Sequence, residues 1–191
     1  MGAAVPELAS GLPDAGLMTD GTLTAGETRL VPLAAEHAEA LRRIRSLPEV
    51  ERWWDPVEDD FPLTDEPEAT RYAVTLGHRI VGMVQYGEEL EPKYRSASID
   101  IFLDPAVHGR GVGSTAVRLV AEHLLHERGH HRLEIDPAAH NVAAIRAYAK
   151  AGFSPVGTVR LAERDAYDHD RWHDALLMER VVDPTEREGD R

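Results

Sequence analysis

Three glycines at alternate positions constrain this chain more than any other feature of its sequence. They lie in His108-Gly109-Arg110-Gly111-Val112-Gly113-Ser114-Thr115, directly before a run with apolar residues at helical spacing, residues 112–128. Glycine lets backbone N–H groups approach an anion with no Cβ in the way, and a helix N-terminus adds the positive end of its dipole. The pattern predicts a loop that cradles a pyrophosphate, with Arg110 as an added charge. The alternative is a plain loop before a surface helix.

Two other glycine motifs compete for this loop. A P-loop would end in Gly-Lys-Ser/Thr, which the stretch lacks. Residues 111–116 do match the dinucleotide pattern G-x-G-x-x-A. In that fold, however, the glycines stand at the tip of a strand, whereas residues 104–107 separate these from the predicted strand 98–103. Too little chain follows for the remaining βα units, so we regard a dinucleotide site as a remote alternative.

A zinc-protease pattern, H-E-x-x-H, occurs at residues 126–130. That chemistry needs both histidines on one face of a helix, one turn apart. Gly129 is expected to end the helix and turn His130 away, so we interpret these histidines as a solvated face and predict no metal site. The chain has no cysteine, which excludes disulfides, thiolate nucleophiles and cysteine-ligated zinc.

The order of predicted elements is typical of one α+β domain. Alternating and 3.6-residue apolar periods give a strand, helices, a β-meander, and then β-helix-β-helix-β-β. We expect a single domain over residues 22–183, with a mixed sheet of about six or seven strands flanked by helices. Residues 1–21 are rich in Gly, Ala, Pro and Asp and are predicted to be a disordered tail, and residues 184–191 a polar tail.

The charge of the chain limits its partners. Acidic residues outnumber basic ones 34 to 21, a net charge of -13, which repels nucleic acid and attracts cations. The excess also serves solubility, whatever the substrate. No apolar run reaches the roughly 20 residues of a membrane helix, and no basic segment followed by an apolar run opens the chain. We therefore expect a cytoplasmic protein that binds neither nucleic acid nor membrane.

Two segments together resemble the GNAT family of N-acetyltransferases. The family loop is Gln/Arg-x-x-Gly-x-Gly/Ala between a strand and a long helix, as at residues 99–113, with His108 where Gln or Arg is usual. The second segment is similar above all to aminoglycoside 6'-N-acetyltransferases and RimJ/RimL-like enzymes, as is the pair Trp53-Trp54. It contains Asp136-Pro137, Asn141, Ala144, Ile145, Arg146, Tyr148, Lys150, Ala151, Gly152 and Phe153. The resemblance covers roughly residues 27–182.

The resemblance implies acetyl-CoA as cosubstrate, bound in a gap where two central strands splay apart. Backbone groups of Ile101 and Leu103 would pair with the pantetheine arm, and an N–H near Leu103 would polarise the thioester carbonyl. Asn141 would bind a pantetheine amide; a simple helix N-cap is its alternative. The cofactor residues implied in this way are Ile101, Phe102, Leu103, His108, Gly109, Arg110, Gly111, Val112, Gly113, Ser114, Thr115, Asn141, Ala144 and Tyr148.

Amine acetylation also needs a base and an acid. Asp100 alternates with Ile99 and Ile101 on its strand, and it matches the position of an acidic residue proposed as base in similar aminoglycoside enzymes. Tyr148 shares a helix face with Asn141 and is the implied acid for the departing thiolate. The alternatives are a solvated carboxylate and a tyrosine packed in the core.

The acceptor residues complete the interpretation. Carboxylates and indoles suit a small primary amine with several positive charges, which the resemblance narrows to an aminoglycoside. The candidates are Trp54, Asp55, Glu58, Asp100, Asp136, Trp172 and Asp174. A protein N-terminus, another metabolite amine and a non-catalytic acetyl-CoA-binding module are the alternatives. Because similar enzymes are commonly dimers, a homodimer is also expected.

Overall fold

The computed structural model describes residues 16–17, 20–63 and 69–184, and it confirms an α+β fold with a mixed sheet. The helices are α1 (Ala38–Arg45), α2 (Pro48–Glu51), α3 (Val112–Glu122) and α4 (Val142–Lys150). The strands are β1 (Gly16–Leu17), β2 (Leu23–Ala25), β3 (Thr28–Pro32), β4 (Ala69–Leu76), β5 (Arg79–Glu89), β6 (Ser96–Leu103), β7 (Arg132–Ile135), β8 (Ser154–Arg164) and β9 (Trp172–Val181).

The described residues form nine strands, more than the six or seven expected. The N-terminal apolar segment makes two strands, β2 and β3, because the chain reverses at Gly26, whose φ of 58° suits glycine. Gly16–Leu17 add a further strand by pairing with Leu23 and Thr24, so these two residues belong to the sheet and not to a tail. Residues 1–15 of the predicted N-terminal tail and 185–191 of the C-terminal tail lie outside the described residues.

The sheet order is β1-β2-β3-β4-β5-β6-β7-β9-β8, antiparallel except where β6 runs parallel to β7. The parallel pair is short: Ala97 is opposite Leu133, Ser98 is opposite Glu134, and the ladder ends there. β6 continues to Leu103 paired only with β5, on its other edge. The predicted splaying of the central strands is therefore confirmed, and it opens a gap beside residues 99–103.

Two separate cores cover the two faces of the sheet. Ile99 packs with α3 and α4 in the larger core, together with the side chains of Leu124 and Leu133. Phe102 lies on the opposite face and packs under α1 and α2, against Leu41 and Ile44. Because side chains alternate along a strand, Asp100 shares the face of Phe102. β6 thus presents Ile99 and Ile101 to one layer, and Asp100 and Phe102 to the other.

The predicted long helix is α-helical to Glu122 and continues as one π-helical segment, His123–Glu127. Gly129, at φ 74°, then turns the chain back. His130 is fully buried and its Nε2 lies 2.7 Å from Glu88 Oε1. The expectation of a solvated histidine face is therefore wrong for His130, because the turn at Gly129 directs it into the protein. Among the described residues, no helix is long and apolar enough to cross a membrane.

Gly82 of β5 lies so close to β6 that a Cβ at this position would clash. A Cβ at this position would lie 2.1 Å from the Phe102 carbonyl oxygen and 2.7 Å from a Leu103 methyl. Both contacts are far inside van der Waals distance, and the first is with backbone, which cannot rotate away. Because glycine has no side chain, β5 can pair closely with the part of β6 that borders the gap.

We expect Gly82→Ala to lower the free energy of unfolding by about 3 kcal/mol, because overpacking at a backbone contact forces the strands apart. Urea unfolding followed by circular dichroism measures this loss. Gly157→Ala is the matched control, since nothing lies within 4 Å of its added Cβ, and it should change stability by no more than about 0.5 kcal/mol. Equal effects of the two substitutions would contradict the close-approach argument.

Candidate active site

A cleft of about 830 Å³ opens where β6 and β7 part. It passes through the sheet, since its walls come from both layers: α2 and the following segment on one side, α3 and α4 on the other. Most of the residues predicted for the cofactor, the acceptor and catalysis line it. These are Trp54, Asp55, Asp100, Ile101, Phe102, Leu103, His108, Gly109, Gly111, Val112, Gly113, Ser114, Asp136, Asn141, Ala144 and Tyr148.

The backbone of β6 turns its unused edge toward this cleft. The Asp104 N–H donates to the Val81 carbonyl on the β5 side, at 2.8 Å. Successive residues of a strand direct their backbone groups to opposite edges, so Leu103 and Ile101 direct theirs toward the gap. His108 lies on that side, with Nε2 3.3 Å from the Leu103 carbonyl oxygen. The geometry agrees with the polar backbone edge that the sequence resemblance implies.

The glycine loop begins α3 at the mouth of the cleft. Gly109 and Gly111 have φ values of 74° and 83°, a region that residues with a Cβ rarely adopt. A Cβ on Gly113 would lie 3.3 Å from the Leu103 side chain, so glycine also keeps the helix close to β6. The first N–H groups of α3 have no acceptor within the helix and are available to an anion. Arg110 and Thr115, predicted for the same site, do not line the cleft.

Asn141 has two roles. Its Oδ1 accepts from the Ala144 N–H at 3.2 Å, which makes it the N-cap of α4, and it also borders the cleft. Arg146 and Lys150 line the cleft from the same helix, and sequence reasoning did not place them in the site. Their i, i+4 spacing puts them on one helix face, which was the available signal. Two cations near the glycine loop favour an anionic ligand at this end.

Carboxylates, together with Arg45 and Arg52, line the other end of the cleft. Asp100 is open to the cleft but walled by protein on most sides, and burial raises its pKa, with the charge of Asp136 adding to the rise. Burial likewise raises the pKa of Asp136. Glu163, from β8, also lines the cleft, and its pKa is raised by burial and then by the charge of Asp55. The cluster of Asp55, Asp100, Asp136 and Glu163, here called the acidic wall, favours cations.

Tyr148 reaches the cleft from the opposite layer. Its side chain is buried in the core beneath α4 yet borders the cleft. Burial strongly raises the pKa of the Tyr148 phenol, and the charges of Asp100 and Asp136 add to this. The hydroxyl is therefore protonated at neutral pH and is a hydrogen-bond donor. The structure thus brings together a carboxylate and a phenol from opposite faces of the sheet.

Of the remaining residues predicted to bind the acceptor, some line the cleft and others do not. Trp54 packs edge-on against Phe102, with ring centroids 5.2 Å apart, and lines the cleft as well. Glu58, Trp172 and Asp174 do not line it. Asp174 Oδ1 instead accepts from the Leu161 N–H at 2.8 Å, inside the β8–β9 hairpin. From that hairpin it is Glu163 that faces the cleft, a residue whose orientation depends on the register of the two strands.

The sheet parts over a glycine-lined helix N-terminus, and a carboxylate and a phenol lie in the gap. These features are those of the N-acetyltransferase fold that the sequence resemblance implies. The chain belongs to the acetyltransferase (GNAT) family, whose profile matches residues 34–153.

Curated relatives include N-acetyltransferases of two kinds. A probable N-acetyltransferase YjcK of Bacillus subtilis is 35% identical over 43% of this chain and 45% of its own length. An aminoglycoside N(6')-acetyltransferase type 1 of Klebsiella pneumoniae is 31% identical over 56% of this chain and 64% of its own. A kanamycin resistance protein of Rhizobium radiobacter is 40% identical over 38% and 66%. The chain thus spans about half to two thirds of the length of these relatives.

Solved structures share the fold. A ribosomal-protein-S5-alanine acetyltransferase from Vibrio fischeri superposes with a TM-score of 0.73 at 16% identity, over 85% of this chain and 97% of that one. AAC(6')-Ib, in a complex with paromomycin and acetyl-CoA, gives 0.68 at 24% identity over 85% and 97%. RimJ of Mycobacterium smegmatis, with CoA-disulfide, gives 0.68 at 20% identity over 86% and 84%.

Proposed function

We propose that this protein transfers an acetyl group from acetyl-CoA to a primary amine of a small polycationic acceptor, and that the acceptor is an aminoglycoside modified at its 6'-amine. The observation that carries the proposal is the cleft through the sheet. It joins an anion cradle on the α3–α4 side, the side that also carries Tyr148, to the acidic wall on the other side, which includes Asp100. The aminoglycoside N(6')-acetyltransferase and the kanamycin resistance protein among the relatives support this acceptor class.

The residues present fit acetyl-CoA. Its pyrophosphate suits the N–H groups at the start of α3, where glycines leave room, and Arg146 and Lys150 add positive charge. Its pantetheine arm carries amides, which suit the free backbone edge of Ile101 and Leu103. When bound, acetyl-CoA supplies an acetyl group activated as a thioester. The separation of the glycine loop from β6 by the 3-10 turn Pro105–Val107 does not suit a dinucleotide fingerprint.

In the proposed mechanism, Asp100 accepts the proton that the acceptor ammonium must lose. A raised pKa makes Asp100 a stronger base than an ordinary aspartate, which ionises near ~3.9. The Leu103 N–H donates a hydrogen bond to the oxygen on which negative charge develops. Asp136 and Glu163 bind the ammonium groups that do not react, and Trp54 offers an apolar surface to a ring.

Tyr148 gives its proton to the departing sulfur as the C–S bond of the thioester breaks and the acceptor nitrogen bonds to the acetyl carbon. The second proton that this nitrogen loses on becoming an amide restores the Tyr148 hydroxyl. A phenol with a strongly raised pKa is a weaker acid than a thiol, whose pKa is about 8.5, so proton transfer from Tyr148 alone is uphill. Two of the charges that raise the Tyr148 pKa are those of Asp100 and Asp136. Once Asp100 has taken the proton of the amine, its charge is lost and the Tyr148 pKa falls. Proton uptake at Asp100 therefore assists donation by Tyr148.

Release of free thiol from acetyl-CoA across a panel of amines tests the proposed function. The panel contains kanamycin and tobramycin, polyamines, and peptides with free N-termini. We expect rapid turnover with 6'-amino aminoglycosides, and no turnover when the 6'-amine is replaced by a hydroxyl. Turnover with peptides alone would retain the acetyltransferase and discard the aminoglycoside acceptor. Binding of acetyl-CoA without turnover of any amine would indicate a binding module.

We expect Tyr148→Phe to lower kcat at least about tenfold, because the departing sulfur loses its hydrogen-bond donor. The dissociation constant of acetyl-CoA, measured by calorimetry, should change little. Tyr72→Phe is a matched control: Tyr72 is also buried, burial raises its pKa to about 12, and it lies outside the cleft. An unchanged kcat in Tyr148→Phe would remove Tyr148 from the mechanism.

We expect Asp100→Asn to lower kcat about 100-fold at neutral pH, with partial recovery at high pH, where the acceptor is already free amine. Burial and Asp136 raise the pKa of Asp100, so the wild-type rate should rise with pH through a range above that of an ordinary aspartate. Rate profiles from pH 5 to pH 10 measure both effects. Asp60→Asn, at an exposed position outside the cleft, should leave the profile unchanged. A profile of Asp100→Asn parallel to wild type would argue against a base at this position.

A further inference from the structure

Three polar side chains form a row across neighbouring strands of the sheet, and the row ends at Asp100 of the acidic wall. Arg71 on β4 is opposite Gln85 on β5, and Gln85 is opposite Asp100 on β6. All three lie on the sheet face that carries α1 and α2, because the residues next to them in each strand belong to the other core. Arg71 and Gln85 do not line the cleft, whereas Asp100 does. The row therefore leads from the interior of the sheet to the cleft.

Arg71 donates hydrogen bonds to the Gln85 side chain and to the backbone of Pro62. Arg71 Nε donates to Gln85 Oε1 at 3.1 Å, and Arg71 Nη1 donates to the Pro62 carbonyl at 3.0 Å. Gln85 is directly opposite Asp100 in the register of β5 and β6 and lies on the same face of the sheet, and its side chain lowers the pKa of that carboxyl against the larger effect of burial. A guanidinium only donates and a carboxylate only accepts, so the Gln85 amide is oriented with its oxygen toward Arg71 and its NH₂ toward Asp100.

We propose that Gln85 and Arg71 are positioning residues for Asp100: Gln85 holds the carboxylate in its ionised form and in its orientation toward the cleft, and Arg71 prevents the Gln85 amide from turning over. With the amide reversed, an oxygen would face Asp100 and stabilise the protonated acid instead. Such an acid cannot take the proton of an ammonium. The part that Gln85 and Arg71 play in acetyl transfer rests on the proposed function. Their control of Asp100 ionisation does not depend on it.

Other charged groups also act on Asp100. Asp136, beyond β7, raises its pKa, and the Asp100 charge in turn raises the pKa of Glu163 on β8 and of Tyr148 on α4. Asp136 and Glu163 are carboxyl groups whose negative charge opposes ionisation of Asp100, whereas the Tyr148 phenol is neutral at neutral pH. The Gln85 NH₂ instead favours the ionised form of Asp100 and lowers its pKa. Loss of the row should therefore raise the pH at which Asp100 ionises.

The test is the titration of the Asp100 carboxyl carbon by NMR, assigned with Asp100→Asn, in wild type, Gln85→Leu, Arg71→Met and the double variant. We expect the midpoint to rise by about one pH unit in Gln85→Leu, the value of one hydrogen bond to a carboxylate. Arg71→Met should raise it by less. Added to Gln85→Leu, Arg71→Met should cause no further rise, because Arg71 acts through the amide. Arg43→Met, an exposed arginine outside the cleft, is the matched control.

In turnover assays, the acid limb of the pH–rate profile of Gln85→Leu should shift to higher pH by the same amount as the NMR midpoint. KM for acetyl-CoA should stay unchanged. A midpoint in Gln85→Leu equal to that of wild type would overturn the proposal. An equal rise from Arg71→Met in both backgrounds would overturn the part assigned to Arg71 and leave a direct charge effect. Failure of every amine to react would instead remove the proposed function, because the NMR titration needs no substrate.

Discussion

The divergence of β6 from β7 is the constraint on which the rest of the structure depends. A parallel pair that continued beyond Ser98 would satisfy the backbone of residues 99–103 and close the sheet. Because it does not, a row of strong backbone donors and acceptors stays open, and an unpaired buried amide is costly unless a ligand or water satisfies it. β5 keeps this edge straight from the other side, and Gly82 lets β5 come close enough to do so.

The gap also joins two layers that a closed sheet would keep apart. Alternation along β6 sends Asp100 to one face, and the α4 helix brings Tyr148 to the other. The charge of Asp100 adds to the effect of burial in raising the pKa of Tyr148. The cleft therefore has a polarity: Arg146, Lys150 and helix N–H groups lie at one end, and the acidic wall, with Arg45 and Arg52 beside it, lies at the other. That polarity matches a reaction between an anionic acyl donor and a cationic amine.

Burial, with neighbouring negative charges adding to it, raises the pKa of Asp100, Asp136 and Glu163 in the acidic wall. A polycationic acceptor of the kind proposed would supply the compensating charge. It also makes the ionisation of Asp100 sensitive to its surroundings. The row from Arg71 through Gln85 supplies a hydrogen-bond donor directly beside Asp100.

The sequence by itself determined the features that depend on local chemistry. Glycine spacing before an amphipathic run located the cradle, strand alternation put Asp100 opposite Ile99 and Ile101, and the helix face of Asn141 and Tyr148 followed from a period of 3.6. Only the tertiary structure decided what depends on register and on long-range packing. It placed Glu163 in the cleft and kept Asp174 within its hairpin, since a shift of one residue in β8 would exchange the two faces. It buried His130 against Glu88, and it aligned Arg71, Gln85 and Asp100 across three strands, because partners 14 and 15 residues apart meet only through strand pairing.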